Sequence, residues 1–251
     1  MGTLLVALTI ILVTPPLAAA ALAAAALRVR DRPGGIYDRL PRWWATALMR
    51  AAAVRVRLHN PERRGIDEPR VFVSNHVSWY DVLALASHLP RYRFVAKAEL
   101  AKIPIFGAGA RAVGTVYIER DNRKSAFESY RVAAEQIRSG TSVVVYPEGT
   151  RGGSYALRPF KKGPFVLAIA AGVPIVPVIV HGTIDVIPRG SWWLRRGVPV
   201  DVHFLEPIQT AGLTYADRER LSRLVWTRMA EALRDLYGVE SERSVPGLEV
   251  A

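Results

Sequence analysis

The fold of this chain is decided by the stretch Asn75-His76-Val77-Ser78-Trp79-Tyr80-Asp81, which lies between two apolar runs. The run before it, Val71 to Val73, is short and apolar and predicts a buried strand, while Val82 to Leu89 predicts a helix. The stretch therefore occupies a strand-to-helix turn, which is where α/β proteins commonly place their chemistry.

His76 and Asp81 place an imidazole and a carboxylate five positions apart in this turn. On a regular helix the two side chains would point about 140° apart and could not meet. They can meet if His76 lies in the turn and Asp81 lies in the first helical turn, pointing back. Asp81 would then accept a hydrogen bond from one ring nitrogen and leave the other free to take a proton. The alternative is a turn histidine followed by an aspartate that only caps the helix.

Composition limits the chemistry that the chain can support. A length of 251 residues predicts one substantial core with an appendage. The net charge of +12 is carried mostly by arginine and suits an anionic partner, such as nucleic acid, an acidic membrane surface or a phosphorylated substrate. The chain has no cysteine, which excludes disulfides, thiol nucleophiles and cysteine metal sites.

The N-terminal stretch from residue 2 to residue 27 carries no charge and is long enough to cross a bilayer core of about 30 Å. Thr14-Pro15-Pro16 interrupts it, so a hairpin of two short helices is the alternative. Its alanine-rich second half resembles the end of a signal peptide, but no lysine or arginine precedes the apolar region. Cationic residues follow from Arg28 to Arg32, and the positive-inside rule places the remainder on the cytoplasmic face of the cell membrane. A single-pass anchor and a monotopic anchor both stay open.

A second N-terminal segment, Leu40 to Ala52, has apolar residues at helical spacing and carries Trp43 and Trp44 beside arginines. This pattern is typical of a helix at a membrane interface, with an ordinary packed helix as the alternative. Residues 28–64 hold ten arginines against three acids, so +7 of the total charge lies there. Because this charge lies beside an apolar anchor and no aromatic-basic nucleic-acid motif is present, we expect a membrane partner and no nucleic acid.

Strands and helices alternate from Val54 to Leu205, and this alternation predicts an α/β fold. We expect a mixed, largely parallel sheet flanked by helices, preceded by a hydrophobic and amphipathic helical membrane anchor. The predicted division is an anchor over residues 1–52, a body over 53–238 and a disordered tail over 239–251. Two prolines in Val173 to Val180 predict that this strand lies near an edge of the sheet or in an irregular region.

Four separated blocks follow one known pattern in order: Asn75 to Asp81, Gly114 to Arg120, Tyr146 to Arg151, and Val173 to Pro177. With these blocks the chain resembles the glycerolipid acyltransferase family, and within it the bacterial 1-acylglycerol-3-phosphate acyltransferases. The similarity covers roughly residues 55–205. The family often has phenylalanine where this chain has Tyr117 and Tyr146, a change that keeps size and planarity.

The resemblance implies transfer of a fatty acyl group from acyl-CoA or acyl carrier protein to the free hydroxyl of lysophosphatidate, giving phosphatidate. It implies no metal, no cofactor and no covalent acyl-enzyme, with membrane phospholipid and lysophospholipid as partners. His76 would act as the general base, and Asp81 would orient it. The residues expected to bind substrate are Asn75, Lys97, Arg120, Glu148, Gly149 and Arg151.

Most of these residue types suit a stated task. Arg120 and Arg151 offer planar guanidinium groups that can bind two oxygens of a phosphate. Lys97 could contact a phosphate or the developing oxyanion. Glu148 could hydrogen-bond the acceptor glycerol or hold Arg151 in position, and Gly149 would let the backbone approach the substrate closely.

Other interpretations stay open from the sequence. The acceptor could be another lysolipid, such as lyso-ornithine lipid or a glycosylated lipid, because arginines do not fix the alcohol. A protein of another class, a basic membrane-binding protein without activity, would not need the His76 and Asp81 pair. Ser78 lacks a nucleophile-elbow sequence, which argues against a serine hydrolase. The other four histidines lack metal-ligand spacing and are expected to be structural: His59, His88, His181 and His203.

Overall fold

A computed structural model of the chain describes residues 2–65, 68–119, 123–188, 190–191 and 193–241, without the side chains of residues 123–127. Its helices are α1 (Gly2–Ala26), α2 (Ile36–Ala51), α3 (Trp79–His88), α4 (Phe106–Ala112), α5 (Arg123–Arg138), α6 (Gly163–Ala171), α7 (Thr183–Val186) and α8 (Arg218–Tyr237). Its strands are β1 (Arg55–His59), β2 (Val71–Ser74), β3 (Tyr92–Lys97), β4 (Val116–Ile118), β5 (Ser142–Val145), β6 (Ile175–His181) and β7 (Pro199–Phe204). Short 3₁₀ turns cover Pro61–Arg64, Ala98–Lys102 and Tyr215–Asp217.

Seven strands of the described chain form one sheet in the order β1-β7-β6-β2-β5-β3-β4. Five of the six neighbouring pairs are parallel, and the pair of β6 with β7 is antiparallel. The predicted mixed, largely parallel sheet flanked by helices is confirmed. Because β2, β5 and β3 are parallel neighbours, the turns that follow them meet at one edge of the sheet.

Helices cover both faces of the sheet because its central strands are apolar on both sides. Phe72 of β2 belongs to the core that also contains Leu48 of α2 and Leu83 of α3. Val71 and Val73 point the other way, into a second core formed with α5, α6 and α8. Every residue of β2 and β5 is buried, which explains why the sequence shows both as nearly unbroken apolar runs.

The helix α1 is continuous through Pro15 and Pro16, which decides against the hairpin alternative. Proline removes backbone donors, but tertiary contacts hold the helix at this point, where Trp44 Nε1 donates to Thr14 Oγ1 at 2.9 Å. Further along, Gly109 of α4 packs so closely that an added Cβ would lie 2.7 Å from the Cβ of Ala18. The helix is long and apolar enough to cross a membrane, and several leucines and isoleucines in its first half are exposed.

The helix α2 is packed against the body on one face, and its predicted place at a membrane interface stays a prediction. One face is packed, with Leu48 buried, while Trp43 is 54% exposed. Asp38 is buried in the first turn and pairs with Arg93 of β3 at 2.9 Å. Arg93 also pairs with Asp31, between α1 and α2, at 2.9 Å. The N-terminal helices are therefore tied to the sheet by ion pairs as well as by packing.

The strand β6 corrects the prediction that its prolines place it near an edge. It lies between β7 and β2, and Pro177 pairs in register with Val73. The Pro177 carbonyl accepts from Leu205 N at 2.9 Å, on the β7 side. The N–H and C=O groups of one residue in a strand point toward the same neighbouring strand. The position where Pro177 lacks an N–H therefore also faces β7, next to the pair of Val178 with Phe204. The ladder to β2 therefore loses no donor to the proline.

The segment after α8 is described only as far as Ser241. The Ser241 hydroxyl accepts a hydrogen bond from Leu157 N at 2.9 Å. The remaining part of the predicted disordered tail, residues 242–251, lies outside the described residues. The division of the chain into anchor, body and tail stays a prediction.

Candidate active site

The turn after β2 carries the residues that the sequence marks as reactive. The strand ends at Ser74, and α3 begins with Ser78 as its N-cap. Within the turn, His76 Nδ1 lies 2.9 Å from Asp81 Oδ2, so the predicted contact is confirmed. A carboxylate only accepts hydrogen bonds, so Nδ1 carries the proton and Nε2 is the basic nitrogen of the neutral ring. His76 lines a cavity, where Nε2 can take a proton from a bound hydroxyl.

Asp81 is completely buried and uses both carboxylate oxygens. Its Oδ2 also accepts from the backbone N–H groups of Val77 at 2.7 Å and Ser78 at 2.8 Å. The contact with Ser78 is part of a capping box at the start of α3. Its Oδ1 accepts from the hydroxyl of Thr183, which follows β6. The sequence leaves open whether Asp81 caps the helix or orients the histidine. In the structure, the carboxylate of Asp81 makes both contacts.

The ring of Tyr146 stacks on the ring of His76, with 4.0 Å between centroids and 22° between planes. Its hydroxyl is buried and has no partner among the described residues. Burial raises the pKa of this hydroxyl well above its usual value, so it stays protonated at neutral pH. The sequence analysis predicted no role for Tyr146 in the site. Its position directly after β5, the strand beside β2, could have indicated that it lies near His76.

Glu148 supports the turn from the neighbouring loop. Its Oε1 accepts from the backbone N–H of His76 at 3.0 Å, and its Oε2 accepts from Arg158 Nε at 3.1 Å. Of the two contacts considered for Glu148, the one with Arg151 is wrong, because the loop after β5 brings Arg158 back to this buried carboxylate. Burial raises the pKa of the Glu148 carboxyl, and the hydrogen bonds from His76 and Arg158 oppose that rise. Both oxygens are engaged within the protein, so Glu148 holds the backbone behind the turn.

Asn75, like Glu148, was expected to bind substrate but is not among the residues that line the cavity. Asn75 is buried, and its Nδ2 donates to Val180 O at 2.9 Å while its Oδ1 accepts from Val180 N at 2.8 Å. The amide therefore fastens the end of β2 to β6, which corrects the prediction of a substrate contact. Arg120 lies outside the described residues.

Three predicted residues line the cavity together with His76, namely Lys97, Gly149 and Arg151. Gly149 has a φ of 83°, a left-handed conformation that favours glycine. Arg151 is exposed, and its guanidinium carbon lies 5.2 Å from the centroid of the Trp79 ring. Neither Lys97 nor Arg151 forms an ion pair within the described part of the chain, so both cations can meet an anionic group in the cavity.

The cavity has a volume of about 790 Å³ and takes its walls from the turn after β2, from β3, α4 and the loop after β5. An adjoining apolar groove of about 110 Å³ reaches α1 and α2, where Leu17 and Trp44 line it. Cavity and groove share the lining residues Val82, Phe94, Phe106, Ala110 and Thr115. The arrangement joins a base and two cations to an apolar path.

A separate cluster lies on the sheet away from this cavity, where the donor atoms of His59, Asp201 and His203 are within 4.8 Å of one another. The parallel register of β1 and β7, which pairs His59 with His203, brings these distant residues together. The two rings are stacked, with 4.0 Å between centroids and 7° between planes. A metal ion bound by an imidazole lies in the plane of that ring. Because the two rings are stacked in nearly parallel planes, one ion cannot lie in the plane of both, so the two imidazoles are not arranged to hold a metal together. The predicted absence of a metal stays a prediction.

Comparison with known proteins agrees with this geometry. Residues 55–181 match the Acyltransferase family. A chloroplastic 1-acyl-sn-glycerol-3-phosphate acyltransferase of Brassica napus is 37% identical over 142 residues, which are 57% of this chain and 41% of that protein. A lyso-ornithine lipid O-acyltransferase of Pseudomonas aeruginosa is 33% identical in an alignment of 220 positions that covers 80% of this chain and 82% of that protein. The chain thus spans less than half the length of the plant relative.

The fold also has a counterpart of known structure. The crystal structure of the 1-acyl-sn-glycerophosphate acyltransferase from Thermotoga maritima matches with a TM-score of 0.78 at 25% identity, covering 96% of this chain and 97% of that chain. Fold and site together define an α/β protein with a histidine–aspartate pair at a strand-to-helix turn, in a cavity that adjoins an apolar groove. The chain belongs to the Acyltransferase family, and the resemblance seen in the sequence is confirmed.

Proposed function

We propose that the protein transfers a fatty acyl group from acyl-CoA or acyl carrier protein to the free hydroxyl of lysophosphatidate, giving phosphatidate. The observation that carries this proposal is the contact of 2.9 Å between His76 Nδ1 and Asp81 Oδ2, in a cavity that Lys97 and Arg151 also line. A base, cationic groups for a phosphate and an apolar path are the parts that this transfer requires.

In the proposed reaction, His76 Nε2 takes the proton of the acceptor hydroxyl while the hydroxyl oxygen attacks the thioester carbonyl carbon. Asp81 keeps the imidazole in the required tautomer and stabilises the imidazolium. When the tetrahedral intermediate collapses, the carbon–sulfur bond breaks and the imidazolium returns its proton to the departing thiolate. Proton transfer of this kind contributes about 10²–10⁴-fold to the rate.

The two cations of the cavity are proposed to hold the acceptor phosphate. The planar fork of Arg151 can bind two phosphate oxygens, and Lys97 adds a point charge for the phosphate or for the developing oxyanion. Arg120 is also proposed to bind the phosphate, because it ends the sequence block Gly114 to Arg120. The apolar groove toward α1 is proposed to take an acyl chain.

We propose that α1 attaches the protein to the cell membrane, with the body on the cytoplasmic face. Its exposed residues Leu4, Leu8, Ile11 and Leu12 form an apolar surface, which we call the α1 surface. Arginines follow the helix at residues 28, 30 and 32, where they can meet anionic headgroups. Because lysophospholipid resides in the bilayer, a groove that reaches α1 gives the acceptor a route from the membrane to His76.

A second candidate acceptor is lyso-ornithine lipid. The observation that favours it is the extent of the match, because the Pseudomonas aeruginosa relative aligns over 80% of this chain and the plant relative over 57%. The same His76 chemistry would acylate the hydroxyl of that lipid. Arg151 and Lys97 would then have the carboxylate of the ornithine group as their anionic partner in place of a phosphate.

Thiol release tests these acceptors directly. The full chain, in mixed micelles of detergent and phospholipid, receives acyl-CoA or acyl carrier protein with lysophosphatidate, with lyso-ornithine lipid, with a glycosylated lysolipid or with no acceptor. We expect release that depends on lysophosphatidate and is absent from the His76→Ala variant. Release with another lysolipid alone would assign that acceptor instead. A folded protein that binds the micelles but releases no thiol with any acceptor would be a membrane-binding protein without activity.

A further inference from the structure

We propose that Thr183 is a positioning residue for acyl transfer, because its hydroxyl fixes the carboxylate of Asp81 that in turn holds His76. This inference rests on the proposed function and adds a residue that lies outside the four sequence blocks. Thr183 does not contact the cavity and acts through Asp81.

The two carboxylate oxygens of Asp81 have separate partners. Oδ2 accepts from His76 Nδ1 at 2.9 Å and from two backbone N–H groups of the turn. Oδ1 accepts from Thr183 Oγ1, across 102 positions of sequence. A partial rotation of the carboxylate would carry Oδ2 away from His76 Nδ1 and Oδ1 away from Thr183 Oγ1. The Thr183 hydroxyl opposes this rotation, because it is the described partner of the oxygen that does not face the histidine.

The fold fixes Thr183 itself. It is completely buried and is the first residue of α7, directly after β6 and Gly182. Gly182 has a φ of 92°, and an added Cβ would lie 2.3 Å from the carbonyl oxygen of Pro199. The hydroxyl of Tyr155 lies beside Thr183 and accepts from Ile184 N at 3.1 Å. The turn that presents the Thr183 hydroxyl is therefore held by close packing at Gly182 and by the hydrogen bond at Ile184.

A second buried threonine shows what an ordinary structural role looks like in this protein. Thr210 is also buried, and its hydroxyl donates to the backbone carbonyl of Val173 at 2.8 Å. Thr183 donates instead to a buried charged group that contacts the proposed base. Hydrogen bonds to an ionised acceptor are shorter and roughly twice as strong as neutral ones. Loss of the Thr183 hydroxyl would leave Oδ1 buried without a described donor and the carboxylate free to turn.

The experiment measures saturation curves for donor and acceptor on three full-chain variants. Thr183→Val keeps the shape and removes the hydroxyl, Thr183→Ser keeps the hydroxyl, and Thr210→Val is the matched control at a buried threonine outside the site. We expect Thr183→Val to lower kcat by about 10–100-fold, with the KM of both substrates within about twofold. Thr183→Ser should retain most of kcat. Thr210→Val should lower the unfolding temperature and leave kcat near that of the parent protein.

A double-mutant cycle separates positioning from general stability. In the Asp81→Asn background the carboxylate is already lost, so adding Thr183→Val should lower kcat less than about threefold further. A full additional loss there, or a folded Thr183→Val protein with unchanged kcat, would overturn the proposal. If valine prevents folding, Thr183→Ala in the same cycle decides. Failure of the proposed function is a different result, because the parent protein would then release no thiol with any acceptor.

Discussion

Tyr146 stacks on His76 with 4.0 Å between ring centroids. It therefore contacts the face of the imidazole, whereas hydrogen bonds contact the ring at its edge. Asp81 holds the same residue at Nδ1, and Glu148 holds its backbone N–H. A ring constrained by these three contacts presents Nε2 in one direction, which is how a scaffold lowers the cost of reaching a reactive geometry. Each contact touches a different part of His76, so substitutions can separate their contributions.

Removing the imidazole should remove catalysis without removing the fold. We expect His76→Ala to lose about 10²–10⁴-fold in kcat, the usual contribution of a general base. Asp81→Asn should lose most activity because the tautomer is no longer fixed, and it should also lower the unfolding temperature because Asp81 caps α3. Thr214→Ala, which removes a capping box elsewhere, is the control and should cost stability alone. A His76→Ala enzyme with a near-normal rate would rule out the mechanism.

Tyr146 gives a prediction that separates its ring from its hydroxyl. Tyr146→Phe keeps the stack and removes a buried hydroxyl without a described partner, so kcat should stay within about twofold. Removing such an unpaired group should leave the free energy of unfolding unchanged or raise it by about 1–3 kcal/mol. Tyr146→Ala should lower kcat because the ring of His76 can then turn. If Tyr146→Phe instead loses activity, the hydroxyl itself contacts the substrate, and the ring-stacking explanation is wrong.

The parts of this protein that could be predicted from the sequence are those determined by neighbouring residues. β2 and β5 are buried on both faces, so their sequences, Val71 to Ser74 and Ser142 to Val145, are mainly apolar and short. The contact between His76 and Asp81 follows from a strand-to-helix turn, because only that geometry brings residues five positions apart together.

The parts that could not be predicted depend on contacts between distant segments. Thr183 meets Asp81 only because β6 lies beside β2 in the sheet, 102 positions later in the chain. Arg158, and not the nearer Arg151, pairs with Glu148 because a loop turns back on itself. Pro177 is tolerated inside the sheet because its missing donor faces β7, and local sequence does not show which side of a strand lacks a partner.

The stacked histidine cluster predicts that acid destabilises the protein. Burial lowers the pKa of His203 to about 4 from an ordinary value of 6.5. Between these values the unfolded chain binds a proton at this residue and the folded chain does not, so the free energy of unfolding falls as pH decreases from 6.5 toward 4. His59 and His181 reinforce the shift by repulsion, and Asp201 opposes it. Tyr237 also faces the ring, with its hydroxyl 2.6 Å from His203 Nε2.

Denaturant unfolding at pH 7 and at pH 5 measures this effect. The loss of stability between the two values should be smaller in His203→Gln, because glutamine keeps a polar partner for Tyr237 and binds no proton. Burial also lowers the pKa of His181 and His88, so the variant should keep part of the pH dependence. An identical loss in parent and variant would mean that His203 is protonated equally in the folded and unfolded chains.

The α1 surface should control membrane binding. Leu8→Ser with Leu12→Ser replaces two side chains that are 45% and 69% exposed, so the pair should weaken cosedimentation with phosphatidylglycerol vesicles without a large loss of stability. Binding that remains should be sensitive to salt, because surface arginines act within a Debye length of about 8–10 Å. Substitution is preferable to deletion of α1, which would also uncover the groove beside α2 and α4.

The control for the α1 surface is Tyr215→Ser, in the 3₁₀ turn directly before α8. Tyr215 is 63% exposed, and α8 packs on the face of the sheet opposite α2. This variant should bind vesicles as the parent protein does. Equal binding of the Leu8 and Leu12 variant at high salt would show that another part of the chain carries the membrane contact.

Arg151 should bind the acceptor and not the donor. Arg151→Lys keeps the charge but loses the planar fork and the contact with Trp79, so it should still be impaired. A hydrogen bond to a charged group contributes about 1.5–3 kcal/mol, so we expect a loss of about 10–100-fold in kcat/KM for lysophosphatidate, mainly through KM. Arg138→Lys, at an exposed arginine at the end of α5, is the matched control and should change neither substrate's KM.

Acyl-CoA also carries phosphates, so saturation curves for acceptor and donor must be measured on the same variants. If Arg151→Lys raises only the KM of acyl-CoA, the arginine belongs to the donor site and the proposed phosphate anchor for lysophosphatidate is wrong.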